Sequence, residues 1–532
     1  MLALERCAMR AAPLIVTGCK MSNWNAGYVA EIAYTYGYYE ELNPLRLRLP
    51  LLAAGLALPA SGTACELGFG QGISANIHAA ASATRWHGND FNPSQAAFAQ
   101  ELANAADAGA QFTDESFAQF CCRDDLPDFD FICLHGIWSW VSAENRALIV
   151  DFLRRKLKVG GVVFISYNTQ PGWAAMMPMR DLLAEHSRVM SAPGQGVLAR
   201  VAGAIDFVDR MIATQPRYLD ANPQLADRFE KLKAMDGHYL AHEYFNADWQ
   251  PMAFSSVAAM LGEAKLEFAA SANYTALVDM LNLTAEHQQF LAEIPDPIFR
   301  ETTRSFLVNE QFRRDYWVKG ARRLTPFAQA CALRAVRVML AVPRDEVVLS
   351  VHGVLGDADM DERVYAPVLD AMADHRVYTI GELEQQLAGS EASLAALLQI
   401  MLVLASKGSV SAVQDEAGIA AARPQTARLN ARLLEQALAR SDLHILASPL
   451  TGGGVVVSHL QQLFLWAKLQ GCPTPQDWVR TTWPVLLRLK QLMTKDGEPL
   501  LTEEENLAEL LAQAQYFSAR ILPVLRALGV TD

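Results

Sequence analysis

Paired cysteines, long apolar runs and basic stretches are all missing from this chain, and each absence removes a class of function. The 8 cysteines stand at positions 7, 19, 65, 121, 122, 133, 331 and 472, with neither the CxxC spacing of a zinc site nor the density of a disulfide framework. Reduced thiols in a cytoplasmic protein are the reading that spacing supports, and the adjacent pair Cys121 and Cys122 is read as a coincidence beside a strand. His242-Glu243 does not continue into HExxH, because position 246 is Asn246, so no metal site is expected. No run of about 18 apolar residues occurs, which excludes a membrane-inserted helix. Acidic residues outnumber basic ones 58 to 45, for a formal charge of -13, and no basic patch breaks that field, so nucleic acid is not an expected partner. At the start, Arg6 and Arg10 precede a short apolar stretch interrupted by Pro13. Residues 1–20 are therefore expected to be a disordered extension ahead of a start at Met21, not a signal segment.

What is present is apolar mass in two rhythms. With 532 residues, 51% hydrophobic and 19% charged, the chain can bury a large interior, divided among about two to four domains. From 62 to 167, short apolar runs (63–67, 85–90, 110–113, 129–134 and 161–167) alternate with helix-like segments, the pattern of a parallel sheet covered by helices. After Pro171-Gly172 the rhythm turns helical through residue 254. Two late antiparallel strands, 266–271 and 312–319, then close the sheet at seven strands. The expected fold is thus α/β and Rossmann-like, with a discontinuous domain over 21–170 plus 255–325 and a helical insertion over 171–254. The remainder, 330–532, reads as mostly helical, with a winged-helix order over 363–415: three helices and a strand pair at 408–413. Its third helix has no basic residue before Lys407, so this module is expected to pack against protein and not DNA.

The chemistry concentrates at Glu66-Leu67-Gly68-Phe69-Gly70-Gln71-Gly72, between the first strand and the first helix. A dinucleotide fingerprint would need glycine at 73, which is Ile73, and no Gly-Lys-Ser/Thr follows for a phosphate loop. Glycines at 68, 70 and 72 let backbone approach a bulky ligand, and Glu66 offers a carboxylate in place of phosphate-binding groups. Further candidates fall at later strand ends, where open α/β sheets bind ligands. They are Asp90 with Phe91, Asp114 with Glu115, and His135 with Gly136. Asp90 suits two ribose hydroxyls, Phe91 an adenine face and Asp114 an adenine amino group.

The runs 64–72 and 88–93 and the strings His135-Gly136-Ile137-Trp138-Ser139-Trp140-Val141 and Ser166-Tyr167-Asn168-Thr169-Gln170-Pro171-Gly172-Trp173 resemble class I methyltransferases that carry a methyltransferase regulatory domain. The segments Tyr34 to Leu42, His242 to Phe245 and Asn309 to Arg313 are similar to the same group. The resemblance covers 22–325 and implies S-adenosylmethionine as cofactor. It extends to bacterial protein-lysine methyltransferases acting on outer-membrane proteins, which share the layout of catalytic, middle and winged-helix parts. Phe69 stands where many members have cysteine or a small residue.

In-line methyl transfer asks a protein mainly for alignment, and an amine acceptor must arrive neutral, which a desolvated aromatic channel favours. Tyr34, Tyr36, Tyr38, Tyr39, Trp138, Trp140 and Trp173 are candidates for that channel. Tyr36, His135, Trp138 and Asn168 are the expected catalytic set. The cofactor set is Glu66, Gly68, Phe69, Gly70, Gly72, Asp90, Phe91, Asp114, Glu115, His135 and Gly136. The acceptor is a protein, such as an outer-membrane or surface protein, or a small molecule such as a saccharide or metabolite. A non-catalytic interaction protein on the same fold is the third reading, against which stand the retained acids at 66 and 90. The apolar helical stripes are compatible with a homodimer.

Overall fold

A computed structural model of the chain describes residues 28–29, 32, 35–60, 62–192 and 194–532. The expected extension 1–20, the start at Met21 and the channel residue Tyr34 lie outside the described residues. Strands β1 (Thr63–Leu67), β2 (Arg85–Asn89), β3 (Gln111–Thr113), β4 (Phe129–Leu134), β5 (Leu157–Asn168), β6 (Leu266–Ser271) and β7 (Phe312–Lys319) form one seven-stranded sheet. Its order is β3-β2-β1-β4-β5-β7-β6. Pairing is parallel from β3 through β5, and β7 runs antiparallel to both β5 and β6. β1 and β4 are buried at every residue, which is why both are mostly apolar, as parallel strands covered on both faces are; the exceptions are Thr63, Glu66 and Asp130. β5 begins four residues before the expected run at 161, because a register shift opposite Phe129 and Phe131 lets the chain pair ahead of its glycines.

Helices start where the sequence supplies caps. Asn92 accepts a hydrogen bond from the Ser94 N–H ahead of Pro93, and Ser142 accepts from the Asn145 N–H ahead of the 143–156 helix. Each satisfies an otherwise orphaned helix donor. The insertion forms a separate helical core in which Trp173, Met179, Leu183, Val201, Val208, Phe229 and Leu240 pack together. The helix Phe254–Gly262 then returns the chain to the sheet, where the Phe254 ring stacks on Trp317 at 5.5 Å.

In the C-terminal part the helices Glu362–Ala371, Ile380–Gln386 and Leu394–Ser406 lie with a three-stranded sheet. Here the strand pair expected at 408–413 does not form. Val410–Val413 is a single strand that pairs with Arg337–Leu340, from upstream of all three helices, and the chain then leaves into the long helix Glu416–Gln436. That helix packs across the back of the first domain: Leu429 and Leu433 share one apolar core with Ile73, Ile77, Leu102 and Ala106. Polar contacts pin the same face, with Gln414 Nε2 donating to the Ala81 carbonyl at 2.9 Å and Arg428 Nε to the Ala106 carbonyl at 2.9 Å. The helices 73–81 and 93–106 are therefore clamped between the sheet and the C-terminal part.

The clamp leaves no room at the start of the 73–81 helix. Gly72 has φ +67°, and a Cβ there would lie 2.5 Å from Ala99 Cβ. The left-handed backbone alone costs a non-glycine residue about 1–2 kcal/mol. Gly72→Ala is expected to lower the thermal midpoint by several degrees in a melting experiment; an unchanged midpoint would mean that the helix junction is not under this constraint.

Candidate functional site

The strand order reverses between β1 and β4, and a cleft opens at their carboxyl ends, the place where open α/β sheets bind ligands. Its cavity volume is about 210 Å³, and it is lined by Glu66, Gly68, Phe69 and Gly70, by Asp90 and Phe91, and by His135 and Gly136. Eight of the expected site residues thus converge on one cavity from three loops. The loop is held open by its own backbone. The Gly68 N–H donates to the Asn89 carbonyl at 2.8 Å and the Gly72 N–H to the Phe69 carbonyl at 2.9 Å. Gly68 has φ +70°, and a Cβ on it would collide with Ile137. The Gly70 N–H donates to Asp90 Oδ2 at 2.9 Å and the Asn92 N–H to Asp90 Oδ1 at 3.0 Å. Asp90 therefore ties the first loop to the second while each oxygen keeps a lone pair toward the cleft.

The electrostatics are unusual for two acids. Glu66 is 3% exposed and its Oε2 has no hydrogen-bond partner among the described residues. Burial, with the Asp90 charge beside it, pushes its carboxyl up to about 8. Burial also raises Asp90 to about 6, against the lowering effect of the Asn92 and Gly70 N–H groups. A buried carboxylate without compensation is unfavourable, so the pair is a site prepared for a cationic or hydroxyl-bearing ligand. At the inner end of the cleft, Tyr39 stacks on His135 with ring centroids 3.5 Å apart. Burial holds the His135 imidazole down at about 4, with Glu41 raising it and Arg314 lowering it. His135 is therefore neutral at pH 7.

The ceiling comes from elsewhere in the chain. Asn246 and Asp248, at the end of the insertion, line the cleft. Asn246 Nδ2 donates to the His242 carbonyl at 2.5 Å, its carbonyl accepts from Arg180, and its side-chain oxygen accepts the Val29 N–H at 2.9 Å. Tyr28 stands over the mouth, 5.7 Å edge-on from Phe91 and 5.7 Å from His242. The residue that breaks a metal-binding spacing is thus a structural hinge of the roof. Among the described residues, no group of three His, Cys, Asp or Glu side chains is arranged to hold a metal.

Several sequence expectations are corrected by position. Asp114 is exposed and does not line the cleft. β3 ends at Thr113, and Ser116, Phe117 and Ala118 reach the cavity in its place. Glu115 is drawn away by Arg123 at 3.0 Å and by the Thr113 hydroxyl at 2.8 Å. Tyr36 lies under the Arg440 guanidinium, 3.4 Å from ring centroid to Cζ, and edge-on to Phe98. It serves the C-terminal junction, as does Tyr38, whose hydroxyl accepts the Gly454 N–H at 2.7 Å. Trp138 is wholly buried in the core behind the loop, so the tryptophan at the cleft is Trp140. Asn168 is 2% exposed and lies off the cavity, where its side chain faces Glu243, a carboxyl that burial raises to about 7. Trp173 packs against Trp249 at 5.0 Å in the insertion. Gly72 shapes the loop from behind without lining it.

Comparison with known proteins fits this geometry. Residues 236–319 match the family described as "Predicted methyltransferase regulatory domain". An uncharacterized protein of Synechocystis sp. is 39% identical over 513 residues, covering 96% of this chain and 100% of that protein. An uncharacterized protein of Rickettsia prowazekii is 26% identical over 201 residues, covering 36% of this chain and 35% of that protein. Among solved structures, PKMT2 from Rickettsia typhi in complex with AdoHcy superposes with a TM-score of 0.66 at 17% identity, over 94% of this chain and 100% of that one. The fold is shared along nearly the whole chain. With a relative of this identity matched over its full length, the chain belongs to one family with that Synechocystis protein; its residues 236–319 carry the predicted methyltransferase regulatory domain, and its fold is that of PKMT2.

Proposed function

We propose that this protein methylates lysine side chains of another protein, using S-adenosylmethionine. The observation that carries the reading is the pair Glu66 and Asp90, two buried carboxyls with no cation beside them among the described residues, lining a cleft that also holds the Tyr39–His135 stack. The residues present fit the cofactor: the orphaned Glu66 Oε2 suits its ammonium or a ribose hydroxyl, the free lone pairs of Asp90 suit ribose hydroxyls, and Phe91 and Phe117 offer apolar walls for adenine. When bound, the cofactor supplies an electrophilic methyl group on a positively charged sulfur.

The chain's own residues do the rest. The glycine loop brings backbone close without Cβ obstruction, and Asp90 fixes the loop by accepting the Gly70 N–H. Tyr28, Phe91 and Trp140 surround the mouth and exclude water, which favours the neutral form of an incoming amine. Neutral His135 adds no positive charge beside the sulfonium, and its ring, held by Tyr39, orients the acceptor. Support for lysine comes from the likeness to PKMT2, and outer-membrane or surface proteins as acceptors rest on the family resemblance of the 135–141 and 166–173 strings. The cytoplasm is the place of action in this reading.

Incubating the protein with methyl-labelled cofactor and a lysate, then separating protein from small molecules, tests the acceptor. Label at protein lysine is expected, and label confined to the small-molecule fraction would reverse the assignment. His135→Ala is expected to slow transfer roughly 100-fold through lost alignment, while Tyr36→Phe leaves the rate within about twofold. Equal rates for the two variants would remove His135 from the site.

The acids give a pH signature. A carboxyl whose folded value is raised binds its proton more tightly in the folded state, so stability falls as pH rises from its unfolded value. For Glu66 this window runs from the usual carboxyl range of 4.5 to about 8. Melting curves of the ligand-free protein should show Glu66→Gln gaining on the wild type across that window. The same variant should bind AdoHcy at least about tenfold more weakly, the scale of a lost charge-assisted hydrogen bond. A variant that neither gains stability nor loses affinity would show that Glu66 does not face the ligand.

A further inference from the structure

Tyr39, whose ring stacks on His135 in the cleft, directly follows Tyr38, whose hydroxyl accepts the Gly454 N–H at 2.7 Å. Gly454 belongs to the antiparallel hairpin of strands Ile445–Ser448 and Gly453–Val456 in the C-terminal part. The same hairpin takes hold again beyond Tyr39, where Asn43 Nδ2 donates to the carbonyl of Thr451, in the hairpin's turn, at 2.9 Å. The fit is close on both sides. A Cβ on Gly453 would lie 2.7 Å from the Tyr38 hydroxyl oxygen and 2.7 Å from Asn43 Nδ2, and one on Gly454 would lie 2.9 Å from Tyr38 Cζ. The two glycines let the hairpin backbone reach the tyrosine. Toward the cleft, a Cβ on Gly37 would lie 2.5 Å from the Tyr39 hydroxyl oxygen, so the Tyr39 ring is bounded by Gly37 as well as by His135.

The Tyr39 backbone has two other anchors, both on the helix 73–81. Its N–H donates to Ser74 Oγ at 2.8 Å, and its carbonyl accepts from His78 Nε2 at 3.3 Å. A segment held at two points can still turn about the line through them, and a third point removes that freedom. Tyr38 supplies the third point, and it does so from the C-terminal part. What the turning would displace is the Tyr39 ring, whose centroid stands 3.5 Å from that of His135. Packing contact falls steeply with separation, since a gap of about 0.5–1 Å forfeits a quarter to a half of the attraction. Misplacement of about 1 Å at a reacting centre can cost about 100-fold in rate.

We propose that Tyr38 is a positioning residue for methyl transfer: bonded to the C-terminal hairpin, it holds Tyr39 in place against His135. The inference rests on the methyl-transfer reading, in which the His135 ring orients the acceptor. It gives the C-terminal part a role in a cleft that it does not line, since none of the described lining residues lies beyond Asp248. Its effect falls on alignment and not on cofactor affinity, which belongs to the 66–72 loop and Asp90.

The test uses the full chain with two variants. Tyr38→Phe keeps the ring and removes the hydroxyl, and Gly453→Ala presses on that hydroxyl from the hairpin. The first readout is the His135 ring resonance of the ligand-free, histidine-labelled protein, identified by its absence in His135→Ala. A stacked tyrosine shields it, so both variants should move it downfield, toward the unstacked position marked by Tyr39→Ala. The second readout is methyl transfer to protein lysine at saturating cofactor. Here kcat should fall about tenfold in each variant, the scale of a sub-ångström misalignment, while AdoHcy affinity stays within about twofold, which also certifies folding. In the His135→Ala background, Tyr38→Phe should cost nothing further, because residues that act through one another are not additive. The proposal is overturned by a resonance that stays in place in both variants, by a wild-type kcat in both, or by a tenfold loss repeated in full without His135. If the wild type methylates no protein lysine, the functional reading fails by itself; the resonance, which needs no acceptor, still upholds or overturns the hold of Tyr38 on the stack.

Discussion

Two carboxyl groups buried without a counter-charge, Glu66 and Asp90, set the terms for everything around them. Neither is stable there alone, so the surrounding structure must hold them against their tendency to find water. Asp90 is held by two backbone N–H groups, one from the glycine loop and one from its own loop, and Glu66 by its place at the end of a fully buried strand. The positive φ values at Gly68, Gly70 and Gly72 follow from the need to turn the chain tightly around these acids while leaving their lone pairs exposed to a cleft. The same acids make the ligand-free protein pay for function in stability, a trade that is common at binding sites.

The rest of the molecule supplies walls. The sheet provides the floor and the strand-order reversal that opens it. The insertion contributes a roof through Asn246 and Asp248, and its own core around Trp173 and Phe229 makes that roof a packed body and not a loose loop. Residues 28 and 29 close the side, anchored to the roof through the Val29 N–H and Asn246. The cleft is thus assembled from segments more than 200 positions apart in the chain, and no single one of them would form it.

The readable part of this architecture is the part governed by local rules. Parallel strands buried on both faces are mostly apolar, so β1 and β4 stand out in the sequence, and glycine spacing together with strand-end acids located Glu66 and Asp90. What could not be read is orientation and competition. Asp114 looks like Asp90 in sequence but follows a three-residue strand that stops short of the cleft, and Glu115 is captured by Arg123 eight positions later. The tyrosine-rich segment gave no way to choose among its members, because an extended chain turns neighbouring rings in different directions: Tyr36 and Tyr38 meet the C-terminal part, and Tyr39 meets His135. Asn246 carried only a negative signal, the interruption of a metal spacing. The strand at 410–413 was legible as a strand, but its partner at 337–340 lies upstream of three intervening helices, beyond what local pattern conveys.

The long helix 416–436 lies against the helix that follows the glycine loop and against the helix that follows β2, sharing one core with Ile73, Ile77, Leu102 and Ala106. Those four side chains would otherwise face solvent from the catalytic domain. The apolar backing of the helices at 73–81 and 93–106 is therefore supplied from far downstream in the chain, and the first domain is not a detachable cassette. For such a chain, recombination that exchanges the C-terminal part for another would strip the cover from the catalytic half as well, so the two halves must be inherited together.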